Sequence, residues 1–488
     1  MIELSLDTLL ARVQELLTYD SNSPLIFNSG LFLFLFVGFA AGYTLLRRTT
    51  SLRILYVIAF SIYFYYKSSG IYFLLLVFVS ISDYLIAHAI AGSQDKSLKK
   101  RLVGLSVAIN LAMLGYFKYT NFFIEMANGL FGAGFLDFQN IFLPVGISFF
   151  VFQSMSYTID VYRGAIKPLA RWTDFLFYLS FFPQLVAGPI VRARDFIPQI
   201  RRPLQVTREM FGTGICFIIG GLVKKAIISD YISLNFVDRI FDEPALYSGF
   251  ECLMGIYGYA LQIYCDFSGY SDMAIGLALV MGFRFPKNFD APYRSATITE
   301  FWRRWHISLG GNRKGKGRTY LNLLLTMLLG GLWHGAAIRF ILWGALHGVA
   351  LALHKMWLQV VPGAKTLGKD MNPVMRLLGI AFTFHLVCLG WLVFRADSMQ
   401  TVGLILHQIF SAFDTSLIAQ VVAGYSGAFL LMAIGYLLHA IPERGDAWLR
   451  GVITRAPMGW QVAMTVAMIW LVMQVKSSDI QPFIYFQF

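Results

Sequence analysis

Apolar runs separated by short polar breaks recur along the chain, at 29–46, 52–66, 71–92, 102–117, 139–159, 212–229, 250–265, 271–283, 319–332, 336–353, 376–394, 422–440 and 458–475. A helix that crosses a bilayer needs about 20 such residues, since each adds about 1.5 Å and the hydrocarbon core is about 30 Å thick. The pattern predicts an all-α polytopic membrane protein with about 11 transmembrane helices. The shorter runs are expected to be tilted, broken or re-entrant. Residues 3–18 read differently: Leu4, Leu9, Leu10, Val13, Leu16 and Leu17 fall near helical spacing, as in an amphipathic helix lying on the membrane. The expected organisation is an interfacial segment over 1–28 and a single transmembrane domain over 29–488.

The polar breaks carry orientation. Arg47/Arg48/Arg53, Lys96/Lys99/Lys100/Arg101, Arg163/Lys167/Arg171 and Arg192/Arg194/Arg201/Arg202 are basic clusters, which the positive-inside tendency places in the cytoplasm. The segment 238–251 is acidic through Asp238, Asp242, Glu243 and Glu251, and the alternation puts the N-terminus outside. Basic clusters flank 172–190 on both sides, so this stretch is expected to be a re-entrant hairpin. Phe182-Pro183-Gln184 and Gly188-Pro189 supply its breaks, and non-helical backbone at that depth implies a cavity.

Composition agrees: 57% of residues are hydrophobic and only 14% charged, against about 25% charged in soluble domains. The net charge of +13 is accounted for by topology, with no nucleic-acid partner required. Cys216, Cys252, Cys265 and Cys388 lack close spacing and read as small buried apolar residues, neither a disulfide frame nor a metal site.

Candidate chemistry begins at Trp333-His334-Gly335, which follows the apolar stretch 321–332. Helix running from Arg318 would carry His334 up to about 24 Å along its axis. An ionisable group inside a membrane segment is by default a functional-site candidate; the competing reading is a neutral histidine hydrogen-bonded between helices. Upstream, 284–318 holds nine Lys or Arg against Asp290 and Glu300. Thr297-Ile298-Thr299-Glu300 is a capping-box signal opening a short helix over 301–306, with Glu300 and Arg304 at i,i+4. Its interleaved aromatic and basic residues fit either headgroup anchoring or docking of an anionic donor. A second polar cluster, Tyr264 to Asp272, places Asp266 and Asp272 between apolar runs. It predicts a broken helix that faces a cavity, or one whose carboxylates bond the broken backbone. The chain has no HExxH, Walker, GxSxG or dinucleotide motif. His347 and His354 are seven apart, a weak metal signal, and structural roles are expected for them and for His88, His385, His407 and His439.

Longer strings go further. YCDFSGYSDMAIGLALVMGFRFPKNFDAPY, ITEFWRRWHISL, GGNRKG and LTMLLGGLWHGAAIRFILWGALHG occur in that order, with LPVGISFFVFQSMSYTIDVYRG and FFPQLVAGPIVRARDF before them and PFIYFQF at the end. Together they resemble the membrane-bound O-acyltransferase family, in its bacterial alginate O-acetyltransferase-like branch, over most of 29–397. The resemblance implies long tilted helices ringing a thin centre, with a cytoplasmic funnel for an acyl thioester and an outer funnel for the acceptor. His334 matches the family's principal active-site histidine and His306 the second histidine of the bacterial branch. An imidazole is suited to take the proton of an attacking hydroxyl. His306 would orient the donor or stabilise developing charge, with Arg303, Arg304 and Trp333 as donor or tunnel contacts.

The implied reaction moves an acetyl group from a cytoplasmic thioester, acetyl-CoA or an acylated carrier, to an exported or cell-surface polysaccharide. It needs no bound cofactor and no metal. The setting would be the bacterial inner membrane, among membrane lipid and with a periplasmic acetyltransferase partner. A second reading is D-alanyl transfer to teichoic acid from a small carrier protein. A third, non-enzymatic, is a transporter with breaks at Gly188-Pro189 and Asp266–Asp272, or a scaffold. The sequence departs from the family in one place: relatives carry a short aromatic and acidic segment where Leu309 here runs straight into Gly310. Its absence is expected to move His306 relative to His334, and a shift of about 1 Å can cost about a hundredfold in rate.

Overall fold

A computed structural model describes residues 14, 16–21, 24–185, 188–307, 316–361 and 371–475. Most of the amphipathic helix expected at 3–18, the Leu309–Gly310 junction and the terminal PFIYFQF lie outside the described residues. The described residues are predominantly helical, and the one β-bridge among them is antiparallel, Phe289 with Trp305. Five helical stretches are long and apolar enough to cross a membrane: Thr50–Gly92, Lys96–Phe131, Arg208–Asp242, Ile338–Val360 and Pro373–Arg395. Met399–Ser411 and Thr415–Gly424 pass the same test as a pair bent by 91°, and Gly30–Leu46, Tyr320–His334, Ser426–Ala440 and Met458–Gln474 are shorter apolar helices. This is an all-α, multi-pass membrane architecture. Its backbone contacts divide it into two compact units, one built from 1–210 with 277–285, the other from 211–276 with 286–488.

The first unit is organised on an aromatic cluster. Phe182 lies with its ring centroid 5.1–6.5 Å from those of Phe27, Phe32, Phe39, Phe60 and Phe64. The chain reverses as the proline and glycine breaks predict. Trp172–Ser180 is followed by Phe182–Leu185, and Ala193–Ile200 returns so that Phe196 stacks on Phe177. Tyr178 Oη donates to the carbonyl of Val191 at 3.0 Å, and Arg201 grips Asp174 through two bonds of 2.6 and 2.7 Å where the two arms meet. Among the described residues of this hairpin, Phe181, Phe182, Gln184 and Leu185 are all buried by protein, with phenylalanine rings around Phe182.

In the second unit the Asp266–Asp272 break expected from sequence is absent: Gly249–Val280 is one helix of 32 residues. Its carboxylates do not serve broken backbone. Lys225 Nζ lies 2.5 Å from Asp266 and 2.8 Å from Asp230, and Lys224 Nζ lies 2.6 Å from Asp272. A charge taken out of water must be paired, and two lysines on the neighbouring helical stretch do this without unwinding either partner. They sit on a π-helical segment, Val223–Ser229, whose wider turn presents both to Gly249–Val280. Close approach makes the pairing possible, since a Cβ on Gly221 would stand 2.5 Å from the carbonyl oxygen of Gly269.

Candidate functional site

The site assembles within the second unit. Thr297 caps Ile298–Arg304 by accepting from the Glu300 amide at 3.2 Å, and Glu300 reaches back to the Ala296 amide at 2.9 Å, as the capping signal predicts. The helix ends at Arg304, two residues before the expected limit. Asp290 donates its amide to the Arg304 carbonyl at 2.9 Å and Ile307 donates to Asn288 at 3.1 Å, so 304–307 is zipped to 288–290 in extended pairing. His306 sits inside this clip with φ +54°. The left-handed region costs an L-residue about 1–2 kcal/mol, and such strain persists only where the surroundings over-determine it. The clip holds the imidazole edge-on to Phe267, 4.7 Å between ring centroids, and 5.8 Å from Phe289.

His334 ends the helix Lys316–His334. Gly331 and Gly344 let this helix meet Ile338–Val360 backbone to backbone: a Cβ on Gly331 would lie 2.1 Å from the Phe340 carbonyl oxygen, and one on Gly344 2.2 Å from that of Met327. Gly344→Ala must therefore push the helices apart. We expect a loss of about 1–3 kcal/mol in detergent-solubilised thermal unfolding, and a fall in transfer activity larger than the fall in folded protein.

The close pairing sets Trp343 edge-on to His334 at 5.3 Å, with Phe394 edge-on at 5.5 Å. His306 and His334 face each other with ring centroids 6.3 Å apart, and Trp333 lies 5.2 Å from His334 and 6.4 Å from His306. Both histidines are 6% exposed. From His334 the rings continue inward through Trp343 to His347 at 5.0 Å and on to Trp302 at 5.2 Å. Among the described residues, both ring nitrogens of His306 and of His347, and the indole N–H groups of Trp302 and Trp343, have no hydrogen-bond partner. Buried polar atoms left over in this way are rare, and a cluster of them marks a place where water or a ligand can be bound.

Of the sequence candidates, His306, His334 and Trp333 come together. Arg304 is held by Glu300 at 3.0 Å and by the Asp290 carbonyl at 3.0 Å, so it fastens the clip that shapes His306. Arg303 is exposed on the same short helix, outside any ion pair among the described residues. His347, given a structural role from sequence, joins the ring cluster; no local motif marks it, because the proximity arises from the glycine contact between two helices. His354 bonds Thr299 and His385 bonds Tyr257, each at 2.8 Å, which suits structural roles. Among the described residues no group of three His, Cys, Asp or Glu side chains is arranged to hold a metal.

Burial pushes the His306 imidazole down from 6.5 to about 3. The ring is thus neutral at working pH, one nitrogen a donor and the other an acceptor. Its folded value lies below its unfolded one, so the unfolded chain takes up the proton first. Stability therefore falls as pH drops below about 6.5, by on the order of 1 kcal/mol at pH 5.5 from this group. Unfolding at pH 7.5 and 5.5 should show that drop in the wild type and a smaller one in His306→Gln.

Residues 169–394, which contain both histidines, match the membrane-bound O-acyltransferase family. The chain is 37% identical to the probable alginate O-acetylase of Pseudomonas putida, over 95% of this chain and 100% of that protein. The chain belongs to the membrane-bound O-acyltransferase family. It is also 40% identical to the probable alginate O-acetylase of Pseudomonas aeruginosa (79% of this chain, 75% of that protein) and 33% identical to the peptidoglycan O-acetyltransferase of Helicobacter pylori (77% and 78%). As a membrane-bound O-acyltransferase it transfers an acyl group to a hydroxyl, and the matched region contains the buried His306–His334 pair.

Proposed function

We propose that this O-acyltransferase takes an acetyl group from a cytoplasmic thioester and delivers it through the bacterial inner membrane for O-acetylation of an exported or cell-surface polysaccharide. The observation that carries the reading is the buried His306–His334 pair, 6.3 Å between ring centroids, with Trp333 beside it. His334 acts as the base. It takes the proton of the attacking hydroxyl as the new C–O bond forms, and returns that proton to the sulfur as the C–S bond breaks, so the products are an ester and a thiol. The N–H of neutral His306 stabilises the oxyanion between those steps, strengthened by surroundings that exclude water. The four basic clusters face the cytoplasm in this reading, with the N-terminus outside, and a periplasmic acetyltransferase receives or completes the transfer.

The acetyl group is favoured over D-alanine by the acetylase and acetyltransferase names of relatives that match three quarters or more of the chain. The donor is acetyl-CoA or an acylated carrier, met by the exposed Arg303 cation. The unbroken helix through Asp266 and Asp272 removes one of the two breaks that a transporter reading used.

The test is transfer of label by membranes carrying the chain, supplied separately with acetyl-CoA, an acetylated carrier protein and a D-alanylated carrier. Label entering envelope polysaccharide from either acetyl donor supports the proposal; label from the D-alanyl donor alone sinks it, as does none from any of the three. Arg303→Ala should raise KM for the productive donor about three- to tenfold while leaving kcat near wild type, as expected when a largely solvated contact of about 1 kcal/mol is lost.

A further inference from the structure

Away from the histidine pair, the second unit contains a cavity of about 430 Å³ whose walls include Arg294, Arg376, His439, Tyr436, Phe384 and Ile380. Its charged side chains, Arg294 and Arg376, are donors. The Tyr293 amide donates to His439 Nε2 at 3.1 Å, and the ring also meets the Ala291 backbone; with Nε2 as the acceptor, the neutral imidazole carries its proton on Nδ1. That Nδ1–H has no partner among the described residues, although His439 is 92% buried by its 8% exposure. Arg294 spends one N–H on the Ile441 carbonyl at 3.2 Å and keeps the rest of its fork. Arg376 is half-exposed, and its one described ion pair, to Glu300, is long at 3.9 Å; that carboxylate is already bonded to Arg304. Two guanidinium groups and a buried imidazole N–H thus converge on one space with Glu300 as the sole neighbouring carboxylate among these contacts.

The other walls are apolar, and so is what flanks them. Leu377 and Leu378 beside Arg376, and Leu437 and Leu438 beside Tyr436, are exposed on the helices Pro373–Arg395 and Ser426–Ala440. A cavity with a cationic interior, on apolar helices that carry exposed leucines, matches an anionic head joined to an apolar body. Guanidinium forks suit phosphate oxygens in particular, through paired N–H bonds.

We propose that this cavity binds a phosphate ester, with Arg294, Arg376 and His439 Nδ1–H as the recognising groups. The exposed leucines make an acidic membrane phospholipid the source that fits; the phosphate chain of a nucleotide thioester carries the same chemistry and is separated by the experiment. The site stands on this cavity alone and does not depend on the acyl-transfer reading.

Detergent-purified full-length protein is titrated with phosphatidylglycerol and, separately, with coenzyme A, binding being read by native mass spectrometry. We expect one tightly held phosphatidylglycerol per chain, with affinity lowered at least tenfold in Arg376→Gln and in His439→Phe. Arg376→Gln keeps the fold honest, since its side chain is half-exposed and no short bond is lost. Saturable coenzyme A binding with the same sensitivity to both variants also upholds the phosphate site and assigns it to the donor. No saturable binding of either probe, or binding that Arg376→Gln leaves unchanged, overturns the proposal.

Discussion

His334→Ala should reduce acyl transfer by a factor of about 10²–10⁴ while leaving the protein folded and in the membrane. The ring lies at the end of its helix, packed edge-on to Trp343 and Phe394, and its removal deletes the proposed base while leaving the helix and its glycine contact with Ile338–Val360 in place. Label transfer by membranes at matched protein levels measures the loss. The informative companion is His306→Ala. It removes the imidazole and its packing on Phe267 while the left-handed cost at φ +54° remains, so it should lower both activity and thermal stability. His306→Gly relieves the backbone without restoring the ring and should recover stability alone. If His334→Ala retained wild-type transfer, the base would have to be sought elsewhere in the ring cluster, with His347 the first candidate.

The second large effect is on stability. Lys225 is 1% exposed and neutralises Asp266 and Asp230 together, so Lys225→Met leaves two carboxylates facing each other across the space the ammonium filled. Removing one partner of a buried ion pair costs about 3–5 kcal/mol, enough to lower the melting temperature sharply and to cut the yield of folded protein. Adding Asp266→Leu should recover a substantial part, because the residual carboxylate, Asp230, is 17% exposed and reaches solvent. Unfolding of the single and double variants in one detergent gives the comparison. Equal loss in both would mean that the lysine acts through packing and not through charge. Activity should fall in the single variant as well: Phe267, next to Asp266, is the ring against which His306 is held.

Much of the site's local chemistry was legible in the residues. Thr297 and Glu300 announced the short basic helix because a capping box is a contact between neighbours. Phe182-Pro183 and Gly188-Pro189 announced the chain reversal, since proline withholds a backbone donor wherever it stands. His334 stood out because an imidazole after a dozen apolar residues is costly in any fold. Where the reading failed, the missing partner was far away in sequence. The Asp266–Asp272 stretch looked like a break because its counter-charges, Lys224 and Lys225, lie some 40 residues earlier, and nothing local reveals that two glycine-bearing helices bring them together. The packing of His347 against Trp343 and the bond from Arg304 to the Asp290 carbonyl were invisible for the same reason.

The sequence by itself determined the membrane class, the helical segments, the capped basic helix and the two candidate histidines. All of these follow from apolar periodicity and from hydrogen bonds within a few residues. Only the tertiary structure decided that His306 is turned into a left-handed clip facing His334, that the paired carboxylates leave their helix unbroken, and that His347 and two tryptophans extend the site. Those outcomes depend on desolvated charges, ring contacts and backbone close approach between distant segments, which acquire an energy only when the chain has brought them together.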